Sequence, residues 1–309
     1  MKDFYQNNWN ESVEQDLTRL LTMAIDEDIS PVGDITSQAL IPSEAIGSAS
    51  VVIREDAVIS GIKAIPTIIN AFNNNLKWEF TKEKLNDGQF VPSGTNLGRV
   101  VGSVQKILMM ERLLLNLVGK LTGISTLTKK YVDIISGTSA KIYDTRKTTL
   151  GWRRLEKYAV RCGGGYNHRM GLYDAILIKD NHLAFGAENS FYDPAEAIVK
   201  AKDYIKLKFG KETADSIIIE IEVDNLDQLA QVLTAEPDIV LLDNMPPDIL
   251  RQAVQIRNSA AVNVQLEASG GVKLTTVKAI AESGVERISA GALTHSATSI
   301  DIGLDWINL

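Results

Sequence analysis

The second half of the chain contains six short apolar runs, and each run ends in polar residues. Segments with helical spacing, such as LDQLAQVLTA, separate the later runs. Strands that alternate with helices form parallel βαβ units, and spacings of about 20–25 residues favour a β/α barrel over an open sheet. No GxGxxG motif follows these runs, which disfavours a dinucleotide-binding fold. The runs are KIYDTRK (141–147), AILIKDNH (175–182), IIIEIEVD (217–224), DIVLLDN (238–244), VNVQLEASGG (262–271) and RISAGALTHS (287–296).

The first part of the chain mixes helical and strand-like patterns and predicts a small α+β layer. A long apolar helical pattern then follows, interrupted by glycines, and we expect it to connect the two parts. Helices are predicted at 12–26, with Ser12 as a candidate N-cap, at 64–72 and at 106–135. A strand is predicted at 48–55, and a half-buried strand at 76–83.

Composition excludes several classes of function. The chain has 309 residues and a formal net charge of -7, which argues against nucleic acid as a bulk partner. Cys162 is the single cysteine, so an intrachain disulfide and a cysteine-based zinc cluster are excluded. The polar N-terminus MKDFYQNNWNES lacks a signal-peptide core, and no apolar run approaches the ~20 residues of a membrane span. A cytoplasmic, water-soluble protein is therefore expected.

Basic residues are concentrated in one segment of this acidic chain. Between Lys141 and His182 there are nine Lys and Arg against four Asp and Glu, a local charge of +5, so the remainder carries -12. The same segment holds RCGGGYNHRMG (161–171), which has three consecutive glycines. A solvated basic face is one interpretation. The predominance of arginine and the flanking glycines favour a binding site for an anion.

Small and acidic residues follow the later strands. In β/α barrels the chemistry lies at the carboxyl ends of the strands. The glycine-rich ends SGG and SAGALTHS can present backbone N–H groups to a phosphate, although tight turns also explain them. Glu222 and Asp243 end consecutive strands and could share Mg²⁺ or Mn²⁺, although pairing with arginine is an alternative. Period-two alternation places Glu220 and Glu267 deeper, as an interior polar network.

The residues by themselves predict a Mg²⁺-dependent enzyme that acts on a phosphorylated sugar and a second anionic substrate. Arginine binds planar carboxylates in a bidentate manner, so the basic group suits a carboxylate. That group comprises Arg146, Lys147, His168, Arg169 and Lys179.

The segment DTRKTTLGWRRLEKYAVRCGGGYNHRMGLYDAILIKDNH (144–182) closely resembles the signature of the quinolinate phosphoribosyltransferase family. The later segments IEIEVDNLDQL, IVLLDNM, LEASGGV and SAGALTHS resemble further family blocks in the right order. GDITSQALIP and MMERLLLNLVGKLTGIST resemble the N-terminal blocks. The resemblance covers nearly the whole chain.

The resemblance implies the type II phosphoribosyltransferase fold, with an N-terminal α/β sandwich domain at 1–115 and an incomplete β/α barrel of about seven strands at 116–309. The extreme C-terminus is expected to pack back on the N-terminal domain. The implied enzyme is a pentosyltransferase of NAD biosynthesis. It would convert quinolinate and phosphoribosyl pyrophosphate to nicotinate mononucleotide, pyrophosphate and CO₂, with Mg²⁺ as cofactor. A cytoplasmic homodimer with shared sites, or a higher oligomer, is implied.

By motif position, the resemblance implies one set of residues for the two carboxylates of quinolinate, namely Arg146, His168, Arg169 and Lys179. Arg112, in MMERLLLN, would reach the same pocket from the neighbouring subunit. The glycine run would let the chain turn sharply enough to aim His168 and Arg169 into the pocket.

The resemblance also implies residues for phosphoribosyl pyrophosphate. Lys147 would face the reacting pair, and Glu222 and Asp243 would hold Mg²⁺ and the ribose hydroxyls. His182 receives no chemical step, because local hydrogen bonds explain it as well. The 5-phosphate would be cradled by Ser269, Gly270, Gly291 and His295. The residues assigned to catalysis are Lys147, Lys179, Glu222 and Asp243.

Three other functions compete with this interpretation. A paralogous family associated with molybdenum transport shares the fold, but the complete basic set favours quinolinate. Salvage of nicotinate is disfavoured because a monocarboxylate needs fewer cations. A non-catalytic metabolite sensor on the same fold is the alternative from a different class.

Overall fold

The structure is a computed structural model that describes residues 2–72, 75–81, 85–185, 192–260 and 263–307. The chain divides into two compact units, and each is assembled from three stretches. The barrel unit comprises Met1–Gln6, Lys130–Lys147 and Gly165–Ala292. The sandwich unit comprises Asn7–Lys129, Thr148–Gly164 and Leu293–Leu309. The division predicted from the sequence is contiguous, whereas these units alternate along the chain.

Helices and strands alternate along most of the described chain. The helices are α1 (Glu11–Asp28), α2 (Ile35–Leu40), α3 (Ile65–Phe72), α4 (Val104–Ile134), α5 (Arg153–Cys162), α6 (Asp180–Phe185), α7 (Pro194–Phe209), α8 (Lys211–Ser216), α9 (Leu226–Leu233), α10 (Pro247–Ser259), α11 (Val277–Ala281) and α12 (Ala292–His295). The strands are β1 (Ile46–Ile53), β2 (Ala57–Val58), β3 (Lys77–Glu79), β4 (Phe90–Val91), β5 (Asn96–Ser103), β6 (Lys141–Tyr143), β7 (Ile176–Ile178), β8 (Ile219–Val223), β9 (Ile239–Asp243), β10 (Gln265–Ser269), β11 (Arg287–Ser289) and β12 (Ile302–Trp306).

The sandwich unit is built on an antiparallel sheet of order β12-β1-β5-β3. The strands predicted at 48–55 and 76–83 are confirmed as β1 and β3, although 82–83 lie outside the described residues. The predicted N-cap Ser12 is wrong. Asn10 caps α1 instead, because its side-chain oxygen accepts the N–H of Val13 at 3.1 Å and the helix already begins at Glu11.

Helix α4 confirms the long helix predicted at 106–135, and it is continuous through its glycines. The glycines allow another part of the sandwich unit to come close. A Cβ at Gly123 would lie 2.0 Å from the carbonyl oxygen of Thr298, and a Cβ at Gly119 would lie 2.7 Å from that of Ile300. Glycine is therefore kept here for close packing, despite its low helix propensity. No helix of the described residues could span a membrane.

The barrel unit contains the six predicted strands in one parallel sheet of order β6-β11-β10-β9-β8-β7. The described residues therefore supply six strands of this sheet rather than about seven. Ile221, Val240, Leu242 and Leu266 are fully buried in it. Residue 262, where one predicted run begins, lies outside the described residues. The strands occupy only the apolar part of each run, so the polar part lies at the strand end or in the next loop.

The strand register confirms the predicted faces. Glu222 pairs with Leu241 and Ser269 pairs with Asp243, so these side chains share one face of the sheet. Glu267 pairs with Arg287 one step below, and its side chain is fully buried. The acids near the strand ends are thus the accessible ones, and the deeper acids belong to the interior.

Candidate active site

Charged side chains meet where the parallel strands end. Lys179 follows β7, and Glu222 lies near the end of β8. The Nζ atom of Lys179 donates a hydrogen bond to Oε2 of Glu222. The Lys179 side chain is 42% exposed and that of Glu222 is 14% exposed. This ion pair therefore lies at the solvent-facing edge of the sheet, the edge at which β/α barrels carry their chemistry.

The ends of β9 and β10 approach each other closely. The side-chain amide of Asn244 donates to Oδ2 of Asp243 at 2.7 Å, and the backbone of Asn244 has a φ of 52°. Gly270 has a φ of +90°, and a Cβ there would lie 2.2 Å from Oδ1 of Asn244. Because a side chain has no room at Gly270, glycine is required to place Ser269 beside Asp243.

Arg146 and Arg169 lie close enough to repel each other. Burial and the positive charge of Arg146 lower the pKa of Arg169. The Nε atom of each arginine is buried without a hydrogen-bond partner among the described residues. Nη1 of Arg169 donates to the carbonyl of Ala175 at 3.1 Å. Two neighbouring guanidinium groups with unused, buried donors form a site prepared for an anion.

The glycine run at 163–165 turns the chain between α5 and residues 166–170, which we call the basic loop. Gly163 ends the helix, and a Cβ on it would lie 2.4 Å from the carbonyl oxygen of Ser125. Gly164 has a φ of +85°, in the left-handed region that favours glycine. Tyr166 then forms a parallel bridge with Tyr143. These conformations are those of the sharp turn expected ahead of His168.

His168 is buried inside the barrel unit, with 6% of its surface exposed. Its backbone N–H donates to Oδ1 of Asp144 at 2.9 Å. Its Nδ1 atom accepts the backbone N–H of Arg169 at 2.8 Å. Its Nε2 atom lies 3.1 Å from Glu220 and 3.4 Å from Glu267. Both ring nitrogens therefore have partners within the protein.

The carboxylates around His168 favour an additional proton. Burial lowers the pKa of His168, but the charges of Glu220 and Glu267 outweigh it and raise the pKa to about 9. Burial raises the pKa of Glu220 as well. A proton on Nδ1 would remove the short bond from the Arg169 N–H. Nδ1 therefore remains an acceptor, and Nε2 carries the ring proton. The additional proton is shared within the pair of His168 and Glu220, which titrates as a unit.

Arg287 completes this interior network. Its Nε atom donates to Oε2 of Glu267 at 2.9 Å, and its guanidinium lies 3.7 Å from the ring centre of Tyr143. The ligand atoms of His168, Glu220 and Glu267 lie within 4.8 Å of one another, as in a metal site. Arg287 already supplies the positive charge that a metal would bring, so the network fits an ion-pair cluster better.

Sequence reasoning missed Asp144 and Arg287. Arg287 appeared only as the first residue of an apolar run, and period-two alternation alone signals that it faces the interior with Glu267. Asp144 was counted only as a charge. Its two oxygens accept the N–H of His168 and the side-chain amide of Asn167, the latter at 2.6 Å.

The remaining predicted residues lie elsewhere. Lys147 is exposed, and its N–H donates to Oγ1 of Thr145 at 3.0 Å. Nδ1 of His182 accepts the N–H of Lys179 at 2.9 Å, so His182 stabilises the turn that carries this lysine. Gly291 is half-buried beyond β11.

Two predicted residues belong to the sandwich unit. Arg112 is exposed on α4 and lines a pocket of about 210 Å³ together with Trp152 and residues of α1. His295 is exposed at the end of α12, and its Nδ1 atom lies 2.7 Å from Oγ of Ser296. The geometry of the barrel unit described above does not include these two residues.

Comparison with protein families identifies the family of the chain. The model "Quinolinate phosphoribosyl transferase, C-terminal domain" matches residues 124–305, and the corresponding N-terminal domain matches residues 34–122. The chain belongs to the quinolinate phosphoribosyltransferase family. The resemblance seen in the sequence and the two-part α/β fold are thereby confirmed.

Individual relatives agree with this family assignment. A nicotinate-nucleotide pyrophosphorylase [carboxylating] of Mycobacterium leprae is 41% identical over 91% of this chain and 94% of its own length. A probable enzyme of the same name from Bacillus subtilis is 37% identical over 94% and 93%. The structure of nicotinate-nucleotide pyrophosphorylase from Francisella tularensis superposes with a TM-score of 0.85, at 36% identity over 99% and 100% of the two chains. The comparisons do not support the paralogue associated with molybdenum transport or the metabolite sensor.

Proposed function

We propose that the chain is a decarboxylating quinolinate phosphoribosyltransferase of NAD biosynthesis. It joins quinolinate to phosphoribosyl pyrophosphate and releases nicotinate mononucleotide, pyrophosphate and CO₂. The observation that carries this proposal is the pair Arg146 and Arg169, whose buried Nε atoms have no partner among the described residues. A substrate with two carboxylates compensates these charges, and the family assignment names such a substrate for the relatives.

In this proposal, quinolinate is bound by basic side chains near the strand ends. Arg146 and Arg169 each offer planar donors suited to a carboxylate. Lys179 is bound to Glu222 in the structure described here, and a substrate carboxylate can compete for its ammonium group. The predicted set for the two carboxylates is Arg146, His168, Arg169 and Lys179.

Phosphoribosyl pyrophosphate is placed over the ends of the later strands. We propose that its 5-phosphate binds the backbone N–H groups and side chains of Ser269, Gly270, Gly291 and His295. The left-handed φ of Gly270 exposes its backbone without a blocking Cβ. Lys147, which is exposed after β6, faces the pyrophosphate group.

Glu222 and Asp243 suit Mg²⁺, because they are carboxylates on one face at neighbouring strand ends. When bound, Mg²⁺ stabilises the negative charge of the leaving pyrophosphate. The same carboxylates also bind the ribose hydroxyls. Asn244 holds the Asp243 carboxylate through its hydrogen bond and so orients it.

The reaction needs orientation and charge compensation from the protein. Pyrophosphate departs with the electrons of the C1–O bond and leaves an oxocarbenium-like ribose. The lone pair of the pyridine nitrogen forms the new C1–N bond, and the ring becomes cationic. When the adjacent carboxylate leaves as CO₂, the electron pair of the broken C–C bond stays on the ring carbon and accepts a proton. The basic residues hold the carboxylates so that nitrogen faces ribose.

We propose further that the protein acts in the cytoplasm as a homodimer with shared sites. Arg112, exposed on α4 of the sandwich unit, would complete the carboxylate site of the neighbouring subunit. A higher oligomer can be built from such dimers without changing the site.

A turnover assay tests the function directly. Purified protein is incubated with quinolinate, phosphoribosyl pyrophosphate and Mg²⁺, and CO₂ and nicotinate mononucleotide are measured together. Equal amounts of both products are expected. Nicotinate replaces quinolinate in a parallel reaction and is expected to give little product. Turnover of nicotinate but not of quinolinate would contradict the proposal, and so would the absence of turnover with both acids.

A further inference from the structure

The N-terminal segment 2–6 belongs to the barrel unit, although the following residues belong to the sandwich unit. Nζ of Lys2 donates to the carbonyl of Ile217 at 2.9 Å and to Oδ2 of Asp238 at 3.1 Å, next to β8 and β9. The side chain of Asp3 accepts from Nη1 of Arg287 and from the hydroxyl of Tyr143, each at 3.0 Å. The segment is thus attached at several points.

Two further contacts of this segment reach the basic loop. The ring of Phe4, 5% exposed, stacks on the imidazole of His168 with centroids 4.3 Å apart and an interplanar angle of 29°. The side-chain amide of Gln6 accepts the N–H of Asn167 at 2.8 Å and donates to its carbonyl at 3.1 Å. The segment therefore fixes the backbone before His168 and one face of its ring.

The imidazole of His168 is held on its other sides too. Its Nε2 atom faces Glu220 and Glu267, and its Nδ1 atom accepts the N–H of Arg169. The orientation of the ring consequently sets the position of the Arg169 backbone. The position of Arg169 in turn determines where its guanidinium meets a carboxylate.

We propose that the N-terminal segment, through Phe4 and Gln6, is a positioning element of the carboxylate site: it fixes His168, and His168 fixes Arg169. Phe4 and Gln6 act through His168 and Arg169 and do not themselves need to touch the substrate. The effect on quinolinate rests on the proposed function, whereas the effect on His168 does not.

The first experiment observes His168 without any substrate. The chain has three histidines, His168, His182 and His295, so the imidazole NMR signals can be assigned with single variants. Phe4→Ala is expected to shift or broaden the His168 signals, because the ring current of Phe4 and the packing on that face are lost. The signals of His182 and His295 are expected to remain unchanged. Unchanged His168 signals would overturn the proposal.

Matched variants separate this effect from general damage. Phe4→Tyr keeps an aromatic ring and is expected to retain the wild-type signals. Tyr5→Ala changes the neighbouring aromatic residue, which is 60% exposed, and is expected to leave His168 unaffected. If Phe4→Ala does not fold, Gln6→Ala tests the same element through the Asn167 contact. An effect of Tyr5→Ala as large as that of Phe4→Ala would contradict the specific role of Phe4.

The second experiment measures turnover. Phe4→Ala is expected to raise KM for quinolinate by about tenfold to a hundredfold, as small misplacements of binding groups do, with KM for phosphoribosyl pyrophosphate nearly unchanged. Phe4→Tyr should keep the wild-type KM for quinolinate. Equal changes in both KM values would overturn the positioning role. If the wild-type chain shows no turnover, the proposed function fails, and the NMR result still decides whether Phe4 positions His168.

Discussion

At the scale of the residue, Arg146 and Arg169 form a pair of like charges whose arrangement does not stabilise the fold. Arg146 and Arg169 carry like charges, and each leaves a buried Nε without a partner among the described residues. Buried polar groups are normally hydrogen-bonded, and an unsatisfied one costs about 1–3 kcal/mol. The free chain carries this cost, and a bound ligand offsets it. A substitution that removes the cost should therefore stabilise the free chain and weaken binding of the ligand.

Arg146→Gln is expected to weaken binding of quinolinate and to stabilise the folded chain. KM for quinolinate should rise by about tenfold to a hundredfold, because a charged hydrogen bond contributes about 1.5–3 kcal/mol. The free energy of unfolding should rise by ~0.5–1 kcal/mol, because repulsion with Arg169 is relieved. Urea unfolding and steady-state kinetics measure the two effects. Arg19→Gln, at an exposed position of α1, is the control and should change neither quantity. An Arg146→Gln variant that is less stable and has a normal KM would refute the prediction.

The interior acids predict a pH dependence of stability. The pKa of His168, raised to about 9 by Glu220 and Glu267, contributes stability that is complete below the unfolded value near 6.5. This contribution is lost as the pH rises through about 9, because the cluster then loses its proton while Arg287 alone compensates two carboxylates. Tm should therefore fall by several degrees between pH 7 and 10, at roughly 2–4 °C per kcal/mol in a chain of this size.

Thermal unfolding across this pH range tests that expectation. Glu220→Gln removes one of the two carboxylates that raise the pKa of His168 and should show a flatter profile. Glu282→Gln, whose side chain is more than half exposed, should keep the wild-type profile. A wild-type profile in Glu220→Gln would show that another group causes the loss.

At the scale of the element, glycine marks close approach in both units. In α4 the glycines remain helical and make room for the carbonyl groups of residues 298 and 300. At the end of β10, Gly270 makes room for Asn244 and so brings the loops after β9 and β10 together. The same residue type thus serves packing in one unit and the site in the other.

Gly123→Ala is expected to destabilise the chain, although alanine is the better helix former. A Cβ at this position would lie 2.0 Å from the carbonyl oxygen of Thr298, so the backbone has to move. The expected loss in the free energy of unfolding is about 1–3 kcal/mol, the usual cost of overpacking. Denaturant unfolding measures it, with Met23→Ala at an exposed position of α1 as the control. A Gly123→Ala variant that is more stable than wild type would refute the close approach.

At the scale of the whole molecule, each compact unit combines stretches of the chain that are distant in sequence. Segment 2–6 and segment 165–292 belong to the same unit, although about 160 residues separate them in the chain. Strand β12 returns to pair with β1 in the sandwich unit. Both arrangements depend on contacts between residues that are distant in sequence.

Mixing two inactive variants tests whether sites are shared between subunits. Arg112→Ala and Arg169→Ala are each expected to fold and to lack activity. In a heterodimer, one site carries both arginines, so about half of the wild-type activity per dimer should return. Heterodimers are isolated by two different affinity tags. No recovery in verified heterodimers would exclude shared sites. The proposed reaction could then still take place within a single subunit.

Much of the candidate site was predictable because its residues follow recognisable strand ends. Glu222, Asp243 and Ser269 lie at the ends of apolar runs, and the carboxyl ends of parallel strands meet at one edge. The partners of His168 were less predictable. Phe4 and Arg287 come from opposite ends of the chain, and no local pattern connects them with the basic loop.

The sequence by itself determined the parallel sheet, the family, and the identity of the charged groups at the strand ends, because these follow from local periodicity and from short motifs. The tertiary structure alone decided which groups are paired. It placed Arg146 beside Arg169, enclosed His168 between Phe4 and two glutamates, and bound Lys179 to Glu222. The physical reason is that charge state and pairing depend on burial and on distances between residues far apart in the chain, and only folding sets these distances.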